Sequence, residues 1–273
     1  DPERKYHLMR IASLGSGSKG NATLVDTGET LVLIDCGLPR KEMELRLASQ
    51  QVTGSDIDAI LVTHEHGDHS RGVSALSRAY DLPVFLTAGT ASSRQFASLT
   101  RRVLIRPGDR FALGDLQIAA EPVPHDAREP VQYCLQQDHL KLGILTDLGS
   151  ITPHVLKAFA QCDALVLEFN HDPDMLMRGP YPRSIKTRVG GDFGHLANAQ
   201  ARQFLDCADT TNLKLLFIAH LSQQNNRPEL ADAMLAGWSD REHCTIIHAT
   251  QESGFEWVDV DRVTTAPKAA VSG

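Results

Sequence analysis

The sequence has no long apolar run and no paired cysteines. No stretch approaches about 18 consecutive apolar residues, and residues 1–10 are charged rather than apolar, so we predict neither a membrane span nor a secretory signal. The cysteines are odd in number and form no CxxC pair, which indicates free thiols in a reducing compartment. We therefore expect a soluble cytoplasmic protein without a membrane partner. Its five cysteines are Cys36, Cys134, Cys162, Cys207 and Cys244.

Positive charge is also scarce. Lys and Arg number 27 against 34 Asp and Glu, and the net charge of −7 argues against the strongly basic surface typical of broad nucleic-acid binding. A local basic patch is still allowed. Residues 177–191 contain four cations and no acidic residue, together with Gly and Pro, so we predict a positively charged loop or lid there. The four cations are Arg178, Arg183, Lys186 and Arg188.

Length and composition allow one large domain. The chain has 273 residues, of which 42% are hydrophobic and 22% charged, as in an ordinary globular protein. We predict a single domain over residues 9–265. Residues 1–8 precede the first regular apolar segment and are interpreted as a leader, whereas residues 266–273 are predicted to be a flexible tail.

Short apolar, β-branched runs alternate with helical patterns along the chain. The early runs are joined by tight turns and the later ones by helices, so antiparallel and parallel pairing should coexist. We expect an α/β fold, a four-layer αββα sandwich with two mixed sheets. The predicted strands are 10–14, 22–25, 30–34, 59–62, 84–86, 116–119, 131–135, 140–145, 164–167, 213–218, 245–247 and 254–258. The predicted helices are 40–49, 69–80, 153–161, 197–208 and 227–237.

The segment Thr63–His69 reads THEHGDH and follows a predicted buried strand directly. Three imidazoles and a carboxylate supply the nitrogen and oxygen donors that hold Zn²⁺ or Mn²⁺. His64 and His66 can point to one ion, while Asp68 and His69 can point to a second, so a two-metal site is predicted. The alternative, a polar capping turn, needs one Asp and not three histidines.

Three further donors follow predicted strands. His125, Asp147 and His220 each come after an apolar run, where α/β folds place their chemistry. Taken alone, each signal is weaker, because Asp147 also fits a turn residue and His125 a structural histidine. The lone histidines elsewhere are interpreted as structural or exposed.

These motifs together resemble those of the metallo-β-lactamase-fold hydrolases. The resemblance covers nearly the whole chain and includes Leu14–Asn21 and Leu33–Gly37. It implies two divalent ions, zinc or manganese with iron as an alternative. One ion would be held by His64, His66 and His125, and the other by Asp68, His69 and His220. Asp147 would bridge them, and Asp35 would support a ligand histidine.

Within that superfamily, further motifs resemble the YycJ-type (VicX-type) branch. They are Glu168–Asp172, Tyr181-Pro182, Gly194–Asn198 and Ala219–Ser222, followed by Asn225-Asn226. The resemblance implies a phosphodiesterase, and more specifically a 5′-to-3′ nuclease acting on DNA or RNA through a metal-bridging hydroxide. Phe169, Ala197 and Ala219 depart from the usual residues of the branch, and these departures bear on the substrate pocket.

Roles for the remaining candidates follow from the chemistry of phosphodiesters. Asp68 would orient the nucleophile, and His195 would protonate the leaving oxygen, although His195 also fits a helix-start packing residue. The residues expected to hold substrate phosphate are His171, Arg183, Lys186 and Arg188. The alternatives are a phosphodiesterase for small cyclic phosphates, a thioester hydrolase of glyoxalase-II type and a non-catalytic binding protein. The sequence leaves the oligomeric state open.

Overall fold

Two seven-stranded β-sheets packed face to face organise the chain in a computed structural model that describes residues 9–261. The predicted leader, residues 1–8, and the predicted tail, residues 266–273, lie outside the described residues. The single-domain boundary at residue 265 also lies beyond them and stays a prediction. No helix within residues 9–261 is both long and apolar enough to cross a membrane.

The first sheet has the order β14-β1-β2-β3-β4-β5-β6. Strands β14 to β3 pair antiparallel and β3 to β6 pair parallel, so the sheet is mixed. Its strands are β1 (Arg10–Gly15), β2 (Ala22–Asp26), β3 (Leu31–Ile34), β4 (Ala59–Leu61), β5 (Val84–Thr87), β6 (Arg102–Ile105) and β14 (Phe255–Asp259).

The second sheet has the order β13-β12-β11-β10-β9-β8-β7 and is mixed in the same way. Strands β10 to β13 pair parallel, and β7 to β10 pair antiparallel. Its strands are β7 (Arg110–Leu113), β8 (Leu116–Pro122), β9 (Val131–Gln137), β10 (Leu140–Leu145), β11 (Ala164–Glu168), β12 (Leu215–Ala219) and β13 (Thr245–His248).

Helices cover the outer faces of both sheets. The helices of the described residues are α1 (Arg40–Ser49), α2 (Gly67–Ser70), α3 (Val73–Tyr80), α4 (Ala88–Ala91), α5 (Pro153–Ala158), α6 (Pro173–Arg178), α7 (Arg183–Val189), α8 (Asn198–Cys207) and α9 (Pro228–Leu235). One hydrophobic core joins α1 and α3 to the first sheet, and another joins α5, α8 and α9 to the second. A third core lies between the sheets, so the three cores separate four layers. The predicted αββα sandwich is confirmed.

Aromatic contacts tie the two sheets together across the middle core. Phe85 stacks on Phe111 with ring centroids 5.1 Å apart, and Phe217 stacks on Phe255 at 4.4 Å; each pair joins one sheet to the other. The buried Tyr133 of β9 donates its hydroxyl hydrogen to the Val62 carbonyl at 2.8 Å. Because Val62 directly precedes the THEHGDH segment, this bond fixes that segment against the second sheet.

Several local predictions are wrong. Residues 177–191 are not a loop, because they contain the end of α6 and the whole of α7. Pro173 and Pro182 stand at the starts of the two helices. The N–H groups there have no acceptor within the helix, so a proline costs no hydrogen bond and can begin a helix. The apolar pattern does not predict strands β6 and β7. Each is a sheet edge with much of its surface exposed, and arginine at its first position masks the apolar pattern.

Candidate metal centre

The carboxyl ends of strands from both sheets meet at one edge of the sandwich. Parallel strands β3 and β4 of the first sheet lead into Asp35 and the THEHGDH segment. In the second sheet, β10, β11 and β12 run parallel, and β8 shares their direction because it is antiparallel to β9. Their ends carry four polar side chains into the seam between the sheets. These are His125, Asp147, Glu168 and His220.

Three imidazoles form the first group of donors. The His66 Nδ1 lies 3.0 Å from the His64 Nε2 and 3.2 Å from the His125 Nε2. Nitrogens that bind one tetrahedral zinc at 2.0–2.1 Å stand about 3.4 Å from one another. The three rings therefore present their nitrogens with nearly the spacing of ligands to a single ion, and the group could hold a metal.

A second group combines carboxylates with imidazoles. The Asp68 Oδ2 lies 3.6 Å from both the His69 Nε2 and the His220 Nε2. Asp147 stands between the two groups, with its Oδ2 3.0 Å from the His69 Nε2 and its Oδ1 4.0 Å from the His125 Nε2. Asp68, His69 and His220 could hold a metal, and so could His64, His69 and Asp147.

The buried histidines use their other ring nitrogen to contact the surrounding protein. The His69 Nδ1 lies 2.7 Å from the Asp35 Oδ2, and the His125 Nδ1 lies 3.0 Å from the Gly194 carbonyl. The His64 Nδ1 contacts the Thr63 hydroxyl at 2.9 Å. Each contact fixes the ring plane and turns the Nε2 towards the cluster, as carboxylate–histidine–metal arrangements require.

Three residues of the centre have left-handed backbone. Asp35, Asp147 and His220 have φ of 60°, 51° and 55°, and each follows directly or almost directly on the end of a strand. Asp and His adopt this region more readily than bulky or branched residues, although it still costs conformational energy. The backbone thus turns sharply at these strand ends, and the side chain is presented at the edge of the sheet.

Opposing charges shift the pKa values inside the cluster. Burial alone would raise the pKa of the Asp68 carboxyl, but His69 and His220 hold it at about 2. Burial alone would lower the pKa of His220, yet Asp147, Asp68 and Glu168 raise it to about 10. The carboxylates thus create a negative field at the imidazoles, and a divalent cation would compete with protons for it.

Two buried atoms of the cluster have no hydrogen-bond partner among the described residues. They are the Asp147 Oδ2, which the His69 Nε2 approaches at 3.0 Å without hydrogen-bond geometry, and the His220 Nε2; both face the second donor group. A buried polar atom without a partner is costly, so native proteins retain one mainly where a ligand, an ion or water satisfies it. The donor chemistry and these two atoms both fit a metal ion.

Sequence comparison identifies the family. A family model described as a beta-lactamase superfamily domain matches residues 30–220. The chain belongs to the β-lactamase superfamily. Exodeoxyribonuclease YycJ of Bacillus anthracis is 36% identical over 227 residues, which cover 82% of this chain and 86% of that protein. Exodeoxyribonuclease WalJ of Streptococcus pneumoniae is 32% identical over 229 residues, covering 82% and 85%.

A solved structure shows the same fold. The metallo-β-lactamase fold protein YhfI of Bacillus subtilis superposes with a TM-score of 0.71 at 17% identity, covering 92% of this chain and 98% of that one. The predicted resemblance to the metallo-β-lactamase fold and to the YycJ-type branch is confirmed by these comparisons. Superfamily membership and the histidine–carboxylate cluster together support the binding of divalent metal ions.

An open cavity of about 340 Å³ lies over the candidate metal centre. Of the predicted phosphate-binding residues, only Arg188 lines it, beside His195 and Tyr181. Arg188 is hydrogen-bonded to Asp126. The Lys186 ammonium instead donates to the Met177 carbonyl at 2.7 Å, and Arg183 is exposed on α7 outside the cavity lining.

His171 does not line the cavity either. It is buried, and its backbone pairs with Ala197 in an isolated bridge. Burial lowers the pKa of its imidazole, and its Nδ1 has no hydrogen-bond partner among the described residues. Its carbonyl accepts from the Asn198 N–H at 2.9 Å, so His171 connects the start of α6 to the start of α8.

The sequence motifs assign no role to Glu168, which the structure places between His195 and His220. The Glu168 Oε1 accepts hydrogen bonds from the His195 Nδ1 at 2.7 Å and the His220 Nδ1 at 2.9 Å. Its Oε2 accepts from the backbone N–H groups of Leu148 and Leu196. Glu168 ends a buried strand. A polar residue at a strand end is the signal that predicts Asp147 and His220, and the same signal points to this carboxylate.

Proposed function

We propose that the chain is a dinuclear metal-dependent exodeoxyribonuclease that degrades DNA in the 5′-to-3′ direction. The similarity to exodeoxyribonucleases YycJ and WalJ over 82% of the chain supports the substrate class. The observation that carries the proposal is the position of Asp147 between two groups of histidine and carboxylate donors at the base of an open cavity. Two-metal sites of this kind hydrolyse phosphodiesters.

The residues divide into two sets of ligands in this proposal. His64, His66 and His125 would hold one ion, and Asp68, His69 and His220 would hold the other. Asp147 would contribute to both groups. Zinc and manganese accept this mixture of imidazole and carboxylate, with iron as the alternative.

Bound divalent ions would supply a nucleophile at neutral pH and positive charge for the phosphoryl oxygens. The chain itself orients and moves the protons. Asp68 reaches the cavity and accepts a hydrogen bond from the attacking water. His195 lines the same cavity and is held by Glu168 through its Nδ1, which leaves its Nε2 to give a proton to the departing 3′ oxygen.

Arg188 is the proposed contact to substrate phosphate inside the cavity. Tyr181 and Ser222 line the same space and add hydroxyl groups. Arg183 is exposed on α7, from where it can reach only a strand that extends beyond the cavity. We therefore propose that Arg183 contacts the phosphates of a polynucleotide outside the cavity, and that Lys186 and His171 support the cavity wall.

A cytoplasmic location is part of the proposal. All five cysteines are free thiols, four of them buried, as expected in a reducing compartment.

An end-labelled DNA assay tests the function. The purified protein, loaded with Mn²⁺ or Zn²⁺, should release mononucleotides from the 5′ end of linear 5′-phosphorylated DNA, with a matched RNA strand assayed in parallel. A His195→Ala preparation made identically controls for contaminating nucleases. Release from the 3′ end would reverse the proposed polarity.

The cavity volume of about 340 Å³ also suits a small cyclic phosphate, which is the second candidate substrate. Intact polynucleotides together with an opened cyclic phosphodiester would reject the nuclease in favour of that candidate.

A further inference from the structure

Phe193 is an exposed aromatic residue two positions before His195. The chain has nine phenylalanines; Phe193 is 62% exposed, while the other eight are buried or half-buried. A single exposed apolar side chain is unremarkable by itself. Its place beside the proposed proton donor makes it informative.

The main chain around Phe193 is held firmly to the metal centre. The Asp126 N–H donates to the Phe193 carbonyl at 2.8 Å, and the Gly194 carbonyl contacts the His125 Nδ1 at 3.0 Å. The His195 N–H donates to the Val189 carbonyl at 2.8 Å. The exposed ring therefore projects from a turn whose position is fixed relative to the proposed metal ligands.

The cavity itself is too small for a strand. Its volume of about 340 Å³ is at the small end of ligand pockets, so it suits one nucleotide. Phe193 is not among the residues that line it. Val189 and His195 do line it, and Phe193 stands two residues before His195, so a group that touches Phe193 lies outside the cavity but next to residues of its wall. We take this to be the position of the second nucleotide of a strand.

Several cations near the cavity already have protein partners, so attraction for that strand would come mainly from the exposed Arg183 and from bound ions. Arg188 is paired with Asp126, and Arg128 lies 3.8 Å from Glu65. The Lys186 ammonium is bonded to a backbone carbonyl, and the whole chain carries a net charge of −7. Stacking of bases on aromatic rings is the other common source of affinity for single strands.

We propose that Phe193 is a stacking platform for the unpaired base of the second nucleotide from the 5′ end. This inference rests on the proposed exonuclease function. It requires a substrate with a single-stranded 5′ end, because a base that is paired and stacked in a duplex could not stack on the Phe193 ring.

Kinetics on two substrates test the platform. Phe193→Ala should raise the KM for a 5′-phosphorylated single-stranded oligonucleotide about tenfold, within the range produced by losing one base–aromatic stack. Hydrolysis of methyl p-nitrophenyl phosphate should not change, since this diester has no group long enough to leave the cavity. Phe193→Trp should retain the low KM, and Phe193→Leu, which is apolar but cannot stack, should behave as the alanine variant.

A matched control and a spectroscopic signal separate stacking from general damage. Leu104→Ala removes an equally exposed apolar side chain, 61% accessible, from edge strand β6 and should leave both substrates unaffected. In the slow His195→Ala background, measured before appreciable hydrolysis, 2-aminopurine at the second nucleotide should be quenched on binding, and Phe193→Ala should abolish the quenching.

The outcomes distinguish the two proposals. An unchanged oligonucleotide KM in Phe193→Ala, or full rescue by leucine, overturns the platform and leaves the nuclease intact. A wild-type protein that hydrolyses methyl p-nitrophenyl phosphate but leaves DNA intact overturns the proposed function and this inference with it.

Discussion

At the scale of single residues, the centre depends on how each imidazole divides its two nitrogens. The Nδ1 atoms of His64, His69, His125 and His220 contact protein acceptors, while their Nε2 atoms face the cluster. His66 is reversed and presents its Nδ1. Ring orientation is thus set by the protein before any ion binds, which limits the reorganisation that binding requires.

His220 and His195 share the same carboxylate but should respond differently to substitution. His220→Ala is expected to lose both bound metal and activity, because it removes a proposed ligand. His195→Ala should keep its metal and lose about a hundredfold or more in kcat, the usual contribution of a positioned acid. Elemental analysis and turnover, measured on the same preparations, separate the two effects. Loss of metal in His195→Ala would make that histidine a ligand.

Glu168 offers a sharper test of the same network. In Glu168→Gln, one amide nitrogen must face either two histidine N–H groups or the two backbone N–H donors of Leu148 and Leu196. A buried donor then faces donors, so we expect a ten- to hundredfold loss in metal affinity, as for other residues that orient ligands. Metal affinity measured by competition with a chelating dye provides the readout.

The matched control is Glu121→Gln. Glu121 is also buried and contacts the His154 Nε2 at 3.0 Å, but it lies on β8 away from the cluster. Metal affinity should stay at the wild-type value in this variant. An equal loss in both variants would mean that general destabilisation, and not the orientation of His195 and His220, explains the effect.

At the scale of elements, three turns meet at Gly149. A Cβ at this position would stand 2.4 Å from the Asp192 carbonyl oxygen and 2.5 Å from the Gly194 nitrogen. The Gly149 N–H also donates to the Pro124 carbonyl at 2.8 Å. One glycine therefore sets the spacing between the turns that carry Asp147, His195 and His125.

Gly149→Ala should push these turns apart. Overpacking typically costs about 1–3 kcal/mol, so we expect the melting temperature to fall by about 5 °C. The kcat should fall at least about tenfold because the catalytic groups are displaced. Gly237→Ala serves as the control, since its new Cβ meets only the Arg202 Nη1 at 3.8 Å. Wild-type turnover in Gly149→Ala would show that this meeting of turns does not position the centre.

Elements with regular apolar patterns could be predicted from the sequence, and those shaped by their neighbours could not. Helix α1 spans the predicted residues 40–49, and β10 spans 140–145. The predicted helix 69–80 is divided into α2 and α3 at Gly72, where a Cβ would stand 2.1 Å from the Leu38 carbonyl oxygen. That close approach involves a residue distant in sequence, so no local pattern reports it.

The centre shows the same division. The donors that follow apolar strands could be named from the sequence, and the structure brings all seven proposed ligands together. The substrate side was harder, because cationic residues in one segment need not share a direction. Lys186 bends back to a carbonyl of the preceding helix while Arg188 turns to the cavity, and this difference depends on helical phase and on Asp126.

At the scale of the whole molecule, the centre joins the two sheets. The first sheet supplies the THEHGDH segment, and the second supplies His125, Asp147 and His220. Ions bound at the seam would therefore cross-link the sandwich. A ligand held at about a hundred times its dissociation constant adds about 2.7 kcal/mol to the free energy of unfolding.

Metal removal should accordingly lower thermal stability. Treatment with a chelator should reduce the melting temperature by about 5–10 °C, and Zn²⁺ or Mn²⁺ should restore it. Differential scanning calorimetry gives the measurement, and His220→Ala should show a much smaller metal-dependent shift. A melting temperature that does not change with added metal would argue against ions that bridge the sheets.

The pairing of β14 with β1 has a consequence for how the protein is made. Arg10 lies opposite Asp259, and the Val260 N–H donates to the Met9 carbonyl at 2.9 Å. One edge of β1, the first strand of the fold, is therefore covered only when β14, the last strand, pairs with it. While a ribosome is still elongating the chain, β1 has an unpaired edge, and such edges recruit strands from other molecules. Nascent or truncated chains that stop before β14 should therefore depend on chaperones to stay out of aggregates, even though every proposed metal ligand has already been synthesised.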